Sequence, residues 1–155
     1  MRTPPTILSM NTSLKTILIA VDFSTGSRAA LEQASRLAQI HGSKLHVLHV
    51  MDAAALAALA DRRGEAFASA AQSATEGGRR ALESWLAQSL MPDGYEITLV
   101  IGVPLHEILE HAKSLHADLL VAGIAGEGEN SVGAGSVSSK LARKSVIHVL
   151  LVRTG

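Results

Sequence analysis

The stretch TILIAVD, residues 16–22, is a short and almost continuous apolar run that closes on an acidic residue. Such runs are typical of strands that are buried on both faces, as in a parallel sheet. Residues 24–41 then change to helical spacing, with one apolar stripe that is expected to face the sheet. Gly42 is expected to end this helix. The strand at 16–22 and the helix at 24–41 together predict the first strand–helix unit of a larger α/β domain.

Four more strands are predicted along the chain. They cover residues 44–51, 96–101, 118–123 and 146–152. Strand and helix alternate throughout, which predicts a single, open, five-stranded parallel sheet with helices on both faces, a Rossmann-like architecture. No second domain and no repeat is indicated.

The helices between these strands have recognisable starts and stops. The Ala-rich stretch 53–90 is helical, and Gly64 and the pair Gly77–Gly78 are expected to interrupt it, which makes it one bent helix or two. Proline suits the first turn of a helix, so the stretch 102–104, Gly-Val-Pro, is expected to open the next one. A last short helix is predicted over 136–144.

The composition excludes several classes of protein. The 155 residues are 47% hydrophobic but only 3% aromatic, so the core must consist mainly of Ala, Val, Leu and Ile. The 14 basic and 14 acidic residues balance, which gives no electrostatic reason to expect nucleic acid or an anionic membrane as partner. The absence of cysteine excludes disulfides and thiol chemistry and is compatible with the cytoplasm, where we expect the protein to act.

The first residues differ from the rest of the chain. Residues 1–13 are polar, carry Pro4 and Pro5, and lack the apolar stretch of a signal peptide. They are expected to form a flexible extension before a domain over 14–155, and translation starting at Met10 is an alternative. No apolar run approaches the roughly 20 residues of a membrane span.

The carboxyl ends of the strands are where a parallel sheet binds ligands, at the point where the strand order reverses. Asp22, Val50 and Gly123 fall at such ends. Gly123 also begins a loop with five glycines in the fourteen residues 123–136, which allows close approach to a ligand. Ser136 then opens a helix whose free N–H groups suit an anion. Together they predict a phosphate site, although the loop matches neither the Walker nor the GxGxxG pattern.

The order and spacing of several short segments resemble those of the universal stress protein family over residues 15–153. The matching segments are IAVDFS at 19–24, LHV at 48–50, GVP at 102–104, EIL at 107–109, ADLLVAG at 117–123, GSV at 135–137 and VLLVR at 149–153. The resemblance implies the strand order 3-2-1-4-5, an adenine nucleotide alpha hydrolase-like fold and a homodimer formed through the last strand, Val146 to Val152.

The resemblance also implies a ligand and its site. In the ATP-binding branch of the family the loop has the pattern Gly-x2-Gly-x9-Gly-Ser/Thr, and the ligand is ATP or AMP, with or without Mg²⁺. Asp22 would contact the adenosine and Val50 would line the adenine pocket. The full set of implied nucleotide-binding residues is Ala20, Asp22, Val50, Ala122, Gly123, Gly126, Gly135, Ser136 and Val137.

The loop departs from that pattern in ways that keep a second function open. Eight residues, 127–134, stand where the motif has nine, and Glu127 and Glu129 add acidic groups. Each like-charge contact with a phosphate costs roughly 1 kcal/mol at 4 Å in water. Lys140, Arg143 and Lys144 on the last helix would compensate only by turning toward the loop, whereas helical geometry is expected to place them along the helix and near its C-terminus. Two functions are therefore predicted: a regulatory nucleotide-binding module in the stress response or, as the alternative, a dimeric interaction protein that binds no nucleotide. In either case the protein partner is unknown, and no catalytic activity is expected beyond slow ATP hydrolysis.

The same residues have alternative interpretations. Asp22 serves equally well as a turn former after the first strand. The loop glycines serve equally well to keep the shape of the loop without binding a ligand. His46 and His49 lie three apart on a strand and so point to opposite faces, which argues against a shared metal. Ser24, His49 and Asp52 lack the elbow motif of a hydrolase. A phosphoacceptor site would need an Asp after the third strand, where the chain has Ile-Gly.

Overall fold

The computed structural model describes residues 13–124 and 134–154, the last range with backbone only for 134–136. The strands are β1 (Thr16–Val21), β2 (Lys44–Asp52), β3 (Glu96–Gly102), β4 (Leu119–Ile124) and β5 (His148–Arg153). The helices are α1 (Thr25–His41), α2 (Ala53–Arg63), α3 (Phe67–Leu86), α4 (Pro104–Ser114) and α5 (Ala134–Lys144). The expected flexible extension, residues 1–13, and the start at Met10 lie almost wholly outside the described residues.

The five strands form one parallel sheet in the order β3-β2-β1-β4-β5. This confirms the predicted fold class and strand order. Strand β1 lies in the centre, with Ile19 opposite Val47 of β2 on one side and Val121 of β4 on the other. The chain crosses from one side of β1 to the other between β3 and β4, so the order reverses beside the carboxyl end of β1.

Alternation along β1 divides the core between the two faces of the sheet. Ile17, Ile19 and Val21 face α1 and α3, where Leu31 and Leu82 are fully buried. The intervening side chains face α4 and α5 and meet a second cluster that includes Leu48, Ile108, Leu120 and Leu141. Both faces of the sheet are therefore covered, as the continuous apolar runs of the strands predict.

The ends of α1 and α2 follow from their cap residues. Ser24 caps α1 by accepting a hydrogen bond from the Ser27 N–H, and Gly42 ends the helix in the left-handed conformation. Asp52 caps α2 through the N–H groups of Ala54 and Ala55. Gly64 closes α2 at φ 64°, as predicted from the sequence.

The prediction that the pair Gly77–Gly78 interrupts the helix is wrong, because α3 runs unbroken from Phe67 to Leu86. A glycine costs only about 1 kcal/mol in a helix, which the burial of the apolar side of α3 outweighs. A Cβ on Gly78 would lie 3.1 Å from Leu99 and 3.3 Å from Met51. The residue thus allows α3 to pack closely on the sheet.

The starts of α5 and β5 also differ from the sequence-based expectation, by two residues each. Helix α5 begins at Ala134, two residues before the predicted Ser136, and β5 begins at His148 instead of Val146. Val146 is 91% exposed and lies in a bend before the strand. The predicted dimer segment 146–152 therefore combines an exposed bend with an edge strand.

Helix α1 meets the end of β4 through backbone contact at two glycines. A Cβ on Gly123 would lie 2.2 Å from the carbonyl carbon of Gly26, and a Cβ on Gly26 would lie 2.8 Å from the carbonyl oxygen of Ile124. Neither position has room for a side chain, because the obstructing atoms belong to the main chain.

We expect Gly26→Ala to lower the free energy of unfolding by about 1–3 kcal/mol, because α1 must move away from β4 to admit the methyl group. The matched control is Gly77→Ala, also a helical glycine, where a Cβ meets nothing within 4 Å. That variant should gain about 0.5–1 kcal/mol from helix propensity. Urea denaturation of both variants measures the difference, and an equal gain in both would contradict the close packing.

Candidate functional site

A cavity of about 510 Å³ opens where the strand order reverses. This size lies within the roughly 300–1,000 Å³ of pockets that hold small molecules. The lining residues come from the ends of β1, β2 and β4 and from the starts of α1, α4 and α5. They are Ala20, Val21, Asp22, Ser27, Leu48, Val50, Asp52, Val103, Pro104, Leu105, Ile108, Ala122, Gly123, Val137, Ser138, Lys140 and Leu141.

One side of the cavity is apolar. Leu48 and Val50 of β2 lie beside the first turns of α4, which contribute Val103, Leu105 and Ile108. Pro104 occupies the first helical position of α4, as predicted, so that the helix begins at the cavity. This wall suits a flat, weakly polar group such as an aromatic base.

Asp22 follows β1 and organises the turn into α1. Its Oδ1 accepts hydrogen bonds from the Ser24 N–H at 3.0 Å and from the Ser27 Oγ at 2.6 Å. The Ser27 Oγ in turn accepts from the Asp22 N–H at 3.0 Å. Asp22 is thus both a turn former and part of the cavity wall, so the two readings of this residue from the sequence are compatible.

The electrostatics of this turn favour the charged form of Asp22. Burial by itself raises the pKa of the Asp22 carboxyl, but hydrogen bonds from Ser24 and Ser27, together with the nearby His49 ring, outweigh that effect. The net result is a pKa below the ordinary value. The carboxylate therefore presents a negative charge to the cavity at neutral pH.

A ring cluster supports the same turn from the other face of the sheet. Phe23 adopts φ 66°, an uncommon backbone conformation for a bulky residue, and its ring lies edge-on to His49 at 4.7 Å and to Trp85 at 5.7 Å. Arg28 stacks over Trp85 at 3.8 Å and donates to the Trp85 carbonyl. His49 Nδ1 lies 2.8 Å from the Val21 carbonyl oxygen. Sequence reasoning missed this cluster, because its members are far apart in the chain.

Gly123 has a structural reason to be glycine, apart from any ligand. It makes the close contact with Gly26, and its carbonyl accepts a hydrogen bond from the Ser138 Oγ at 2.7 Å. That bond ties α5 to the end of β4.

The predicted nucleotide-binding residues are only partly brought together in the described residues. Gly135 lies in the first turn of α5, as does Ser136, and Gly126 falls outside the described residues along with the rest of the loop 125–133. The six that share the cavity wall are Ala20, Asp22, Val50, Ala122, Gly123 and Val137. Their role in binding a nucleotide stays a prediction.

Lys140 lines the cavity, whereas Arg143 and Lys144 do not. The sequence-based expectation placed all three along α5 and near its C-terminus. The helical period explains the difference, because Lys140 follows the cavity residue Val137 by three positions and so shares its side of the helix. The same periodicity was available in the sequence, but only the contact between α5 and β4 shows which side faces inward.

Ser24, His49 and Asp52 do not form a hydrolytic triad. Ser24 caps α1, His49 is bonded to the Val21 carbonyl, and Asp52 caps α2. Within residues 13–124 and 134–154, no three His, Cys, Asp or Glu side chains converge as a metal site requires. Over the same part of the chain, no helix has the length and apolar character needed to span a membrane.

These features define a class of protein: a doubly wound α/β domain with a ligand-sized, partly apolar cavity at the switch point of its sheet. A sequence profile of the universal stress protein family matches residues 13–153. The chain belongs to the universal stress protein family.

Two relatives are similar over most of their length. A universal stress protein of Thermus aquaticus, described by its position 3′ of a QAH/OAS sulfhydrylase gene, is 34% identical over 148 residues, or 90% of this chain and 98% of the relative. Universal stress protein YxiE of Bacillus subtilis is 30% identical over 145 residues, or 88% and 97% of the two chains.

Solved structures share the fold. Universal stress protein UspA of Lactobacillus plantarum aligns with a TM-score of 0.67 at 27% identity, over 92% of this chain and 100% of its own. A universal stress protein in complex with cAMP aligns with a TM-score of 0.63 at 23% identity, over 93% of this chain and 100% of its own. The universal stress protein from Archaeoglobus fulgidus in complex with dAMP aligns with a TM-score of 0.56 at 20% identity, over 89% of this chain and 97% of its own.

The lowered pKa of Asp22 predicts how the turn responds to acid. A carboxyl whose pKa is lower in the folded state adds stability at neutral pH, and that stability is lost as the pH falls through the folded-state pKa. We expect Asp22→Asn to lower the free energy of unfolding at about pH 7 and to lower it less at about pH 3.

Urea denaturation at both pH values measures this effect. Asp93→Asn is the control, because Asp93 is exposed and lies away from the turn. A penalty for Asp22→Asn that does not shrink in acid would contradict the charged role of Asp22.

Proposed function

We propose that this protein is a regulatory module that binds an adenine nucleotide. It acts as a dimer in the cytoplasm, as part of the stress response. The ligand is ATP or AMP, with or without Mg²⁺, and its binding shifts the dimer conformation or the affinity for a protein partner. The observation that carries the proposal is the cavity at the switch point, which combines an apolar wall for a base with the charged side chains of Asp22, Asp52 and Lys140.

The geometry of the cavity supports an adenine ligand in two respects. The wall of Leu48, Val50 and Ile108 can cover the faces of a planar base, which is the main energetic gain for such a group. Asp22 lines the cavity as a carboxylate, which can accept hydrogen bonds from ribose hydroxyls or from an exocyclic amine. Related structures contain cAMP and dAMP, which share the adenine base and a single phosphate.

The polar side chains of the cavity support binding more than catalysis. Asp22 and Asp52 hold backbone N–H groups at helix starts, and Ser27 is bonded to Asp22. A general base works best when its pKa lies near the working pH. The pKa of the Asp22 carboxyl is below its ordinary value, and no histidine is among the described residues that line the cavity, so we expect slow hydrolysis at most.

The test is a melting scan with AMP, ATP and GTP. A ligand at 100 times its dissociation constant adds about 2.7 kcal/mol to stability, and each kcal/mol raises the midpoint by roughly 2–4 °C in a domain of this size. We expect a rise of about 5 °C or more with an adenine nucleotide and none with GTP.

A cavity-filling variant makes this test specific. Val50→Phe places a larger side chain in the cavity and should abolish the rise while the protein stays folded. Ile40→Phe, on the exposed side of α1, should keep it. No rise for the wild-type protein, after removal of any nucleotide that it carries from purification, would favour the alternative, a dimeric interaction protein that binds no nucleotide.

The proposed dimer interface is the segment 146–152. Strand β5 is an edge of the sheet, with β4 as its one partner among the described strands. An apolar edge strand with unpaired backbone groups invites pairing with another chain, and a two-fold partner satisfies both edges at once. Leu150 and Val152 pack partly into the core of their own domain, so a charge at Leu150 would disturb both the fold and the dimer.

Val146 offers a cleaner test of the dimer, because it is 91% exposed and makes no contribution to the core. We expect Val146→Glu to shift the mass measured by light scattering toward the monomer without lowering the melting temperature of the monomer. Ile40→Glu, at a side chain that is 70% exposed on α1, is the control and should leave the mass unchanged. An unchanged dimer mass for Val146→Glu would count against this interface.

A further inference from the structure

The charged side chains around the cavity are divided between its two sides. Asp22 directly follows β1, Asp52 is the last residue of β2, and Lys140 lies across from them on α5. Among the described residues that line the cavity, Lys140 is the one basic side chain. The apolar wall belongs to the side of β2 and α4, so the positive charge and the apolar wall lie at opposite sides of the opening.

The position of Lys140 is set by contacts that hold α5 in place. Leu141 is buried in the core below α5, and the Ser138 Oγ is bonded to the Gly123 carbonyl at the end of β4. These two anchors fix the rotation of the helix about its axis. Val137 and Lys140, three residues apart, then face the cavity together.

The Lys140 ammonium is available to a ligand. The ion pairs among the described residues join other groups, such as Lys44 with Glu96 and Arg79 with Glu83, and none involves Lys140. The side chain is exposed at the cavity wall, so its long and flexible stem can reach an anion without burying an unpaired charge.

We infer that Lys140 binds the phosphate of a nucleoside monophosphate whose base lies against the wall formed by β2 and α4. This inference rests on the proposed function and adds to it the residue that distinguishes a nucleotide from a nucleoside. The ligand spans the switch point, with its apolar part toward β2 and its anionic part toward α5. Asp22 and Asp52, both acidic, disfavour the opposite orientation by repelling the phosphate.

The experiment compares AMP with adenosine by isothermal titration calorimetry on the full-length protein and three variants. Lys140→Gln removes the charge, and Lys140→Arg keeps it. Arg143→Gln is the matched control, since it removes the same charge from the same helix at an exposed position that does not line the cavity. We expect Lys140→Gln to weaken AMP about tenfold, the loss of one charge-assisted contact, and to change adenosine affinity by less than about twofold.

The other variants and ligands separate this inference from the proposed function. Lys140→Arg should retain most of the AMP affinity, and Arg143→Gln should leave both affinities within about twofold of the wild type. Equal affinities of the wild-type protein for AMP and adenosine would overturn the role of Lys140 while leaving the adenine site intact. An equal loss for both ligands in Lys140→Gln, or no loss for AMP, would overturn it as well. A wild-type protein that binds neither ligand would overturn the proposed function and this inference together.

Discussion

The close contact between Gly26 and Gly123 is the constraint on which the site depends. Because neither residue carries a side chain, the first turn of α1 lies directly against the main chain at the end of β4. The same turn holds Ser24 and Ser27 on Asp22, and Ser27 and Gly123 both line the cavity. A backbone contact of this kind cannot be loosened by changing a rotamer, so the geometry of the turn is held by sterics as well as by hydrogen bonds.

Much of the fold could be predicted from the residues, for reasons that are local. The five strands are largely apolar runs, and Gly42, Gly64 and Pro104 mark helix ends through backbone preferences that need no tertiary context. The strand order was implied only by the resemblance to a family, since periodicity does not say which strands pair. One misjudged point was the pair Gly77–Gly78, where packing on the sheet decides more than helix propensity does.

The site was predictable where it depends on strand ends and less so where it depends on packing. Asp22, Val50 and Gly123 lie at or just beyond the carboxyl ends of apolar strands, and the rule for parallel sheets brings such residues to one edge. Lys140 and Ser27 lie on helices, and their direction depends on how α5 and α1 are rotated against the sheet. The pattern of five glycines pointed to a ligand, yet Gly123 is explained by its contact with Gly26, which no local rule in the sequence indicates.

The ring cluster behind the turn has a practical consequence. Trp85 is the single tryptophan of the chain, and Phe23, which touches its ring, directly follows Asp22. Arg28 covers one face of the same indole from the first turns of α1. The intrinsic fluorescence of the protein therefore originates next to the turn that shapes the cavity, and its emission reports the state of that turn without an added label.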